Sequence, residues 1–498
     1  MPFHKLPRSA SVPHTGESSH SPTSVQALTA RETTVVRIPL RSAKHHFGVS
    51  TSRGTRAANE DTHQAGVIDL PSFAKRPPAS LTINRRAAGA AKGAPPENRA
   101  ADSASGDPQM FYFGVFDGHG GVECSTFLKE NLHEYIQNTA AEFELRSSLR
   151  RDGEEDPSSF NNKEETAETL PIVQGANRPH IGELEKGLVH NWRSLVGGYF
   201  KRFVPPHFYF GREDATEKEN GEESRREGVT IEEVMEYAFL RADYDFVSAQ
   251  ASRRDDELVK AGQPLQQDEI LHGPDHPSAR KTEGHTRFKG GSTASIALIS
   301  TPTPAPFWSP TSPSSLLVSH VGDTRMILCS TATGEAIPLT SNHHPSSPIE
   351  TARLRRYATT FVTDSFGEER MSGLANTRAF GDVHSKRIGV SAEPEIRRIE
   401  MAPGEYSFLV LMTDGISGEL PDQEIVDIVK EARTPDEASK NVVSLATEVS
   451  KVGDNATCLV VRLGGWERRL EGGLGSMGTK ESREWRRQDA TDPRRSRT

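Results

Sequence analysis

The sequence predicts one mixed domain of strands and helices, of fold class α+β, interrupted by long polar insertions. Short apolar runs of strand length alternate along the chain with segments whose apolar residues recur at helical spacing. Only 34% of the 498 residues are hydrophobic, and the chain contains 41 glycines and 32 prolines. Because this composition is lean for a uniformly packed globule, much of the chain is expected to form loops and disordered insertions.

The bulk composition excludes several classes of protein. A net charge of −9 and a pI near 6.1 give no indication of a nucleic-acid partner. Cys124, Cys329 and Cys458 lie far apart in or beside apolar segments, which favours reduced core residues over a disulfide framework. No apolar run approaches the roughly 20 residues that cross a bilayer, so no membrane span is expected. A soluble monomer is the expected state.

The pattern along the chain gives the predicted elements in order. Two strands flank a polar turn near the start of the domain, and residues 111–116 form a strand that is apolar on both faces. Helical spacing follows in residues 122–143 and 229–250, and Thr230 and Glu233 have the spacing of a capping box. The later part predicts five strands, STASIALIS, SLLVSHVGD, RMILCS, SFLVLMTD and TCLVVRL, and two helices, PDQEIVDIVKEA and EASKNVVSLATEVSKV.

The ordered domain is expected to span residues 47–463. Residues 1–46 are rich in Arg and Ser and poor in acids, which is typical of an organelle transit peptide or of a disordered tail. Residues 464–498 are charged and Gly-rich, and a disordered tail is predicted there. Polar or Pro- and Gly-rich composition predicts insertions within the domain at about 71–108, 137–228 and 252–286.

The stretch FYFGVFDGHGGVECSTFL, residues 111–128, is the first candidate functional segment. Its apolar strand stops at Asp117, and three glycines surround His119. Asp and Gly are ordinary turn residues after a strand, so a simple turn also explains this stretch. The glycines equally allow the backbone to approach a small ligand closely.

Other acids also lie beside apolar strands, and these are Asp323, Asp414, Asp454, Glu60 and Asp61. If the strands lie side by side, the carboxylates gather at one rim of a sheet, where they repel each other unless a cation lies among them. Oxygen ligands suit Mg²⁺ or Mn²⁺. The pattern therefore favours a divalent metal site, against the alternative that each acid only suits a turn.

Seven motifs, taken together, are similar to one known family. They are TRAANED, FGVFDGHGG, KGGSTASIALIS, VGDTRMILC, LANTRAFGD, LMTDGISGEL and GDNATCLVV. In this order they resemble the type 2C family of metal-dependent Ser/Thr protein phosphatases. The resemblance implies a four-layer α-β-β-α sandwich of two antiparallel β-sheets flanked by helices. It also implies hydrolysis of phosphoserine and phosphothreonine on a phosphorylated protein substrate, by direct attack of a metal-bridging hydroxide.

The resemblance further implies the ligands of two Mg²⁺ or Mn²⁺ ions. Asp117 matches the bridging ligand. Glu60 and the carbonyl of Gly118 complete one site, and Asp414 and Asp454 complete the other.

Three further residues match catalytic positions of the family. Arg56 matches the arginine that holds the substrate phosphate, and His119 matches the general acid for the departing alkoxide. Asp61 is expected to orient metal-bound water. Arg378 and Asp382 are expected to form a buried structural ion pair.

Some positions depart from the family pattern. Gly418 stands where many relatives carry an Asp that helps to hold a weaker third metal, so the third site is in doubt although Asp323 is retained. The segment SSPIETARLRRYATT, residues 346–360 and here called the flap, is basic and carries Arg353, Arg355 and Arg356. These arginines suit either an acidic or phosphorylated substrate or a solvated helix face.

Two other functions use the same residues. A pseudophosphatase would use the fold as a binding scaffold without turnover, and a phosphatase for small phosphorylated molecules would use the same site. The retained ligand set favours activity. The N-terminus and the sequences of several motifs resemble those of fungal mitochondrial members of the family. A mitochondrial location is therefore expected, with a cytoplasmic one as the alternative.

Overall fold

The computed structural model describes residues 46–75, 107–149, 178–209, 228–252, 290–355, 362–363, 369–370, 375–469 and 477–491. Several predicted segments lie largely or wholly outside these ranges. They are the N-terminal segment 1–46, most of the insertion at 71–108, almost all of the insertion at 252–286 and parts of the insertion at 137–228.

The strands of the described part, in chain order, are β1 Phe47–Ser52, β2 Thr62–Ile68, β3 Met110–His119, β4 Gly291–Ser300, β5 Ser314–Val321, β6 Arg325–Ser330, β7 Ala336–Pro338, β8 Val362–Thr363, β9 Glu369–Arg370, β10 Phe380–Gly381, β11 Glu395–Met401, β12 Tyr406–Met412 and β13 Ala456–Arg462. Every strand predicted from the sequence is present. Strands β7 to β11 were not predicted. The residues of β11, EIRRIEM, are too polar for an apolar run, and β7 to β10 are only two or three residues long.

The helices of the described part are α1 Glu123–Glu142, α2 Arg178–Leu195, α3 Ile231–Ser252, α4 Pro348–Leu354, α5 Val383–Lys386, α6 Asp414–Ser417, α7 Asp422–Glu431, α8 Pro435–Val449 and α9 Met477–Thr491. Short 3₁₀ helices occupy Gly198–Arg202 and Trp466–Arg468. The predicted start of α3 is confirmed, because the Glu233 amide donates to Thr230 Oγ1 at 3.2 Å. None of the described helices is long and apolar enough to cross a membrane.

Two antiparallel sheets form the centre of the fold. One sheet has the strand order β1-β13-β12-β6-β7, and the other has the order β11-β5-β4-β3-β2, with β10 paired to β4. The register places Asp117 opposite Thr293 and Thr62 opposite Phe116. The candidate acids of β3 and β5 belong to one sheet and that of β12 to the other. Whether these acids meet therefore depends on how the two sheets pack.

Three apolar layers show that packing. One cluster, which includes Val115, Leu316 and Leu411, lies between the two sheets. A second joins α1, α2 and α3 to the outer face of the β4-containing sheet, and a third joins α7 and α8 to the outer face of the β12-containing sheet. The result is a four-layer α-β-β-α sandwich, which confirms the predicted fold class.

The predicted insertion at 137–228 contains ordered structure, so this part of the sequence reading needs correction. Helix α1 continues to Glu142, and α2 packs its apolar side into the core. Trp192 is fully buried, stacks on Phe200 with ring centroids 4.5 Å apart, and donates its indole N–H to the Leu240 carbonyl at 3.2 Å. The polar residues around these aromatics obscured the helical spacing.

The predicted disordered tail at 464–498 also contains an ordered element. Helix α9 binds α7 through Arg483 and Glu431 at 2.8 Å, and α8 through Arg487 and Glu448 at 3.2 Å. Its sequence, MGTKESREWRRQDAT, is mostly charged or polar, so it has no apolar stripe that a periodicity argument would detect.

Candidate metal centre

Three candidate acids meet where the two sheets come together. Asp117 lies near the end of β3, Asp323 follows β5, and Asp414 begins α6 directly after β12. One ligand oxygen from each lies within 4.8 Å of the others. The Asp414 amide also donates to Asp117 Oδ2 at 3.3 Å. Strand β3 continues through Asp117 to His119, so the predicted stop of the strand at Asp117 is wrong. Asp117 lies in and Asp323 follows a strand of one sheet, whereas Asp414 follows a strand of the other, so this carboxylate cluster joins both.

Burial and mutual repulsion make these carboxylates difficult to ionise together. Burial, followed by the charge of Asp414, raises the pKa of Asp117 well above its ordinary value. Burial, followed by the charges of Asp323 and Asp454, raises the pKa of Asp414 to about 7. A divalent cation bound among them would offset this repulsion.

Asp61 adds a further buried carboxylate. Its side chain is 7% exposed, and its Oδ2 accepts hydrogen bonds from Thr413 at 2.9 Å and Thr457 at 2.8 Å. Its buried Oδ1 has no hydrogen-bond partner within the described part of the chain. An unpaired buried carboxylate oxygen beside like charges is the donor chemistry that a hydrated divalent ion requires, so the residues present fit such an ion.

Glu60 and Gly118 lie side by side at the same rim. The Gly121 amide donates to Glu60 Oε1 at 2.9 Å, and Ser125 Oγ donates to the Glu60 carbonyl at 2.5 Å. A Cβ on Gly118 would collide with that carbonyl and with Ser125. The glycine is therefore required for the close approach of the β3 backbone to the Glu60 segment.

Arg56 and Asp454 are brought together by two loops. Arg56 Nη2 donates to Asp454 Oδ2 at 2.7 Å, and the arginine side chain remains 55% exposed. Asn455, which the sequence reading did not single out, holds the loop in place. It accepts from the Glu60 amide at 2.8 Å and donates to the carbonyls of Arg53 and Ala58. The sequence signal that could have identified Asn455 is its place in the GDNATC motif, directly after Asp454.

His119 contacts a residue that the sequence reading paired wrongly. His119 Nε2 lies 2.8 Å from Asp382 Oδ2. Burial lowers the pKa of His119, but the charge of Asp382 and its hydrogen bond outweigh this effect and raise the pKa to about 9. Arg378 instead binds Glu350 at 2.7 Å and Glu393 at 3.5 Å. The predicted Arg378–Asp382 pair is wrong because the turn at residues 381–382 directs the two side chains to different partners.

Asp323 belongs to the carboxylate cluster and is the retained residue of the third metal site that was in doubt. Gly418 offers no side-chain ligand. Burial raises the pKa of Asp323, but hydrogen bonds from His344 and Asn376 outweigh it and lower the pKa. His344 Nε2 lies 3.6 Å from Asp323 Oδ2. Asp323 therefore has His344 and Asn376 as partners besides the two carboxylates of the cluster, and only position 418 contributes no carboxylate.

The flap arginines do not form a solvated face as a group. Arg353 is half-buried and binds Glu350 at 2.8 Å and the carbonyls of Gly389 and Thr377 at 2.7 and 2.8 Å. Its interactions are internal, so neither predicted role applies to it. Arg355 is exposed, and Arg356 lies outside the described residues.

This chain is similar to known proteins. A family model described as protein phosphatase 2C matches residues 227–455. Protein phosphatase 2C homolog 4 of Schizosaccharomyces pombe is 30% identical over 436 residues, which are 87% of this chain and 84% of that protein. Protein phosphatase 1K, mitochondrial, of Xenopus laevis is 37% identical over 152 residues, 30% of this chain and 40% of that protein.

A solved structure is also similar to this chain. The crystal structure of serine-threonine phosphatase 2C from Toxoplasma gondii covers 84% of this chain and 94% of that chain, at 16% identity and a TM-score of 0.42.

Proposed function

The chain belongs to the protein phosphatase 2C family, and from that premise we propose that it hydrolyses phosphoserine and phosphothreonine on proteins with two Mg²⁺ or Mn²⁺ ions. Family membership supports protein phosphatase activity. The single observation that carries the proposal is the carboxylate cluster of Asp117, Asp323 and Asp414, whose ligand atoms lie within 4.8 Å of one another. A structural role alone gives no reason to bury these like charges together.

Glu60, Asp117 and the Gly118 carbonyl would hold one ion, and Asp117, Asp414 and Asp454 the other. When bound, the two ions would polarise the phosphoryl group and activate a water molecule for direct attack on phosphorus. Asp61, buried and held by two threonine hydroxyls, would orient water beside them. Asp323 is proposed to serve the water network of this pair, since position 418 contributes no carboxylate to a third site.

Two side chains of the chain would act on the substrate itself. The exposed fork of Arg56 suits bidentate binding of a phosphate monoester, and its contact with Asp454 places it beside the proposed ligands. His119 would give a proton to the departing serine or threonine oxygen, because its pairing with Asp382 favours the protonated ring.

The alternative of a catalytically silent scaffold has less support. A scaffold has no need of a complete donor set, whereas this chain retains Glu60, Asp117, Asp414 and Asp454 together with Arg56. A phosphatase for small phosphorylated molecules would use the same site. Comparing a phosphopeptide with a sugar phosphate as substrates distinguishes it from a protein phosphatase.

A mitochondrial location is proposed, with the cytoplasm as the alternative. It is supported by the Arg- and Ser-rich composition of residues 1–46 and by the similarity to a relative named mitochondrial. A fluorescent fusion of the full chain should co-localise with mitochondria, and one that lacks residues 1–46 should not. Equal distribution of the two fusions would contradict the proposal.

The decisive test is hydrolysis of a phosphothreonine peptide by the purified chain with Mn²⁺, with Mg²⁺ and with EDTA. Asp117→Asn should abolish turnover, while Asp436→Asn, a change of an exposed carboxylate on α8, should not. A sugar phosphate should be a poor substrate. Folded protein that has no turnover with either metal would support the scaffold instead.

A further inference from the structure

The partner of His119 is held in an unusual backbone conformation. Asp382 has φ 50° and ψ 50°, in the left-handed region that few non-glycine residues other than Asn and Asp adopt. In the described part of the chain Glu144 is the only other non-glycine residue with positive φ. The Asp382 side chain caps no helix, although the residue precedes α5. Such conformations occur in turns and also at functional sites, so the contacts of the Asp382 side chain decide between the two.

The neighbouring backbone is shaped to admit the Asp382 carboxylate. The Asp382 amide donates to the Gly290 carbonyl at 3.1 Å, which joins the turn to the start of β4. A Cβ on Gly291 would collide with Asp382 Oδ2 and with the Phe380 carbonyl. The carboxylate is thus fixed against β4, on the strand that pairs with the end of β3 that carries His119.

A buried ion pair fixes the turn on both sides of Asp382. Lys386 and Asp243 are completely buried and lie 2.5 Å apart. The other oxygen of Asp243 accepts from the Gly381 amide at 2.8 Å, and Lys386 also donates to the Ala379 carbonyl. Helix α3 therefore binds the residue directly before Asp382 and the helix directly after it, and the carboxylate has little freedom to move.

These constraints converge on one side chain. Asp382 is 8% exposed at its side chain, and its Oδ2 contacts His119 Nε2 at 2.8 Å. No described residue hydrogen-bonds Nδ1 of His119, and the ring is 35% exposed. Nε2 is therefore committed to the protein interior, and Nδ1 is the ring nitrogen available to a substrate.

We propose that Asp382 is a positioning residue that holds His119 by Nε2 and presents Nδ1 to the departing serine or threonine oxygen. The inference rests on the proposed function. As the bond from phosphorus to that oxygen breaks, the oxygen keeps the electron pair and takes the proton from Nδ1. Water supplies the hydroxyl group that remains on phosphorus and releases its other proton to solvent, and the ring regains a proton from solvent.

Leaving-group dependence distinguishes this role from a structural one. A serine or threonine oxygen needs a proton when it departs, whereas the nitrophenolate of p-nitrophenyl phosphate does not. Asp382→Asn should lower kcat on a phosphothreonine peptide by about tenfold to hundredfold, with KM nearly unchanged and p-nitrophenyl phosphate turnover lowered far less. His119→Gln should show the same selectivity, and the double variant should lose no more than either single variant.

Asp382→Gly provides a stability control, because glycine adopts the left-handed conformation without strain. Its unfolding temperature should equal or exceed that of the unaltered chain while peptide turnover falls. Equal losses on both substrates, or losses that multiply in the double variant, would overturn the proposal.

A readout that needs no turnover separates this proposal from the proposed function. In ¹⁵N-histidine-labelled chain, the His119 Nε2 proton should give a downfield resonance typical of a hydrogen bond to carboxylate, which Asp382→Gly removes. If the unaltered chain has no metal-dependent turnover, the proposed function fails even when this resonance is present. If the resonance is unchanged in Asp382→Gly, the positioning role fails even in an active enzyme.

Discussion

The Arg56 guanidinium donates to the Asp454 carboxylate across 2.7 Å, although the two residues lie 398 positions apart in the sequence. The hydrogen bond and the charge of Asp454 raise the pKa of Arg56 above its ordinary value. The residue proposed to bind phosphate is thus bonded directly to a residue proposed to bind metal. Phosphate and metal binding should therefore affect each other through this pair.

Replacement of Arg56 by Ala should weaken the binding of substrate phosphate without weakening the binding of metal. Loss of a charge-assisted bond to phosphate should lower kcat/KM on a phosphothreonine peptide by about tenfold to hundredfold. Mn²⁺ affinity, measured by calorimetry, should stay equal or increase, because Asp454 loses a competing cation. Arg56→Lys should give an intermediate kcat/KM, since it keeps the charge without the fork. Weaker Mn²⁺ binding in Arg56→Ala would contradict this account.

Two buried carboxyls should contribute less to the stability of the metal-free protein as the pH rises. The pKa values of about 6 for Asp61 and about 7 for Asp414 mean that the folded chain keeps protons that the unfolded chain releases above about pH 4. The contribution of these two carboxyls to stability in EDTA should therefore fall between about pH 4 and pH 7, measured as the difference in urea unfolding between the unaltered chain and Asp414→Asn, which does not titrate.

Asp117→Asn removes one of the repelling charges from this cluster. The variant should be more stable than the unaltered chain in EDTA at pH 7.5, and Mn²⁺ should stabilise it less. Asp436→Asn, at an exposed helix position, is the matched control. Lower stability of Asp117→Asn in EDTA would show that repulsion is not the dominant effect.

His343 should make the protein sensitive to acid. Burial, followed by the proximity of His320, lowers the pKa of His343 well below its ordinary value. The two rings stack with centroids 4.9 Å apart, and His343 Nδ1 accepts from the Gly322 amide at 2.9 Å. Because the unfolded chain binds a proton below about pH 6.5 that the folded chain refuses, stability should decrease as the pH falls below that value.

The His343 contribution can be isolated by comparison with His343→Asn, which keeps an acceptor but does not titrate. This variant should be less stable at pH 7.5, and its stability should fall less steeply between pH 6.5 and pH 5.5. Parallel slopes in the two proteins would refute the assignment.

Trp192 tests whether residues 178–209 belong to the domain core. Trp192→Ala should lower the free energy of unfolding by about 3–5 kcal/mol, because it removes a fully buried indole and its stacking on Phe200. Trp485→Ala on α9 is the control, since Trp485 is 65% exposed and its loss should change stability little. Similar unfolding curves for both variants would show that residues 178–209 are an insertion that contributes little to the stability of the core.

Local sequence determined the strands, the helix start at Thr230 and the position of each acid at a strand end. These features depend on short-range periodicity and turn chemistry, which a single chain displays directly. Ordered structure at α2 and α9 escaped this reasoning. Trp192 in α2 and the ion pairs of Arg483 and Arg487 in α9 contact partners far along the chain, which local periodicity does not reveal.

Tertiary structure alone decided which side chains meet. The sequence places Asp382 four residues after Arg378, yet the left-handed turn at Asp382 and the close approach of Gly291 direct the carboxylate to His119. Likewise, Arg56 meets Asp454 because β1 and β13 pair in the same sheet. Pairing over such separations depends on backbone direction and sheet packing, whereas the sequence by itself records only the residues available to pair.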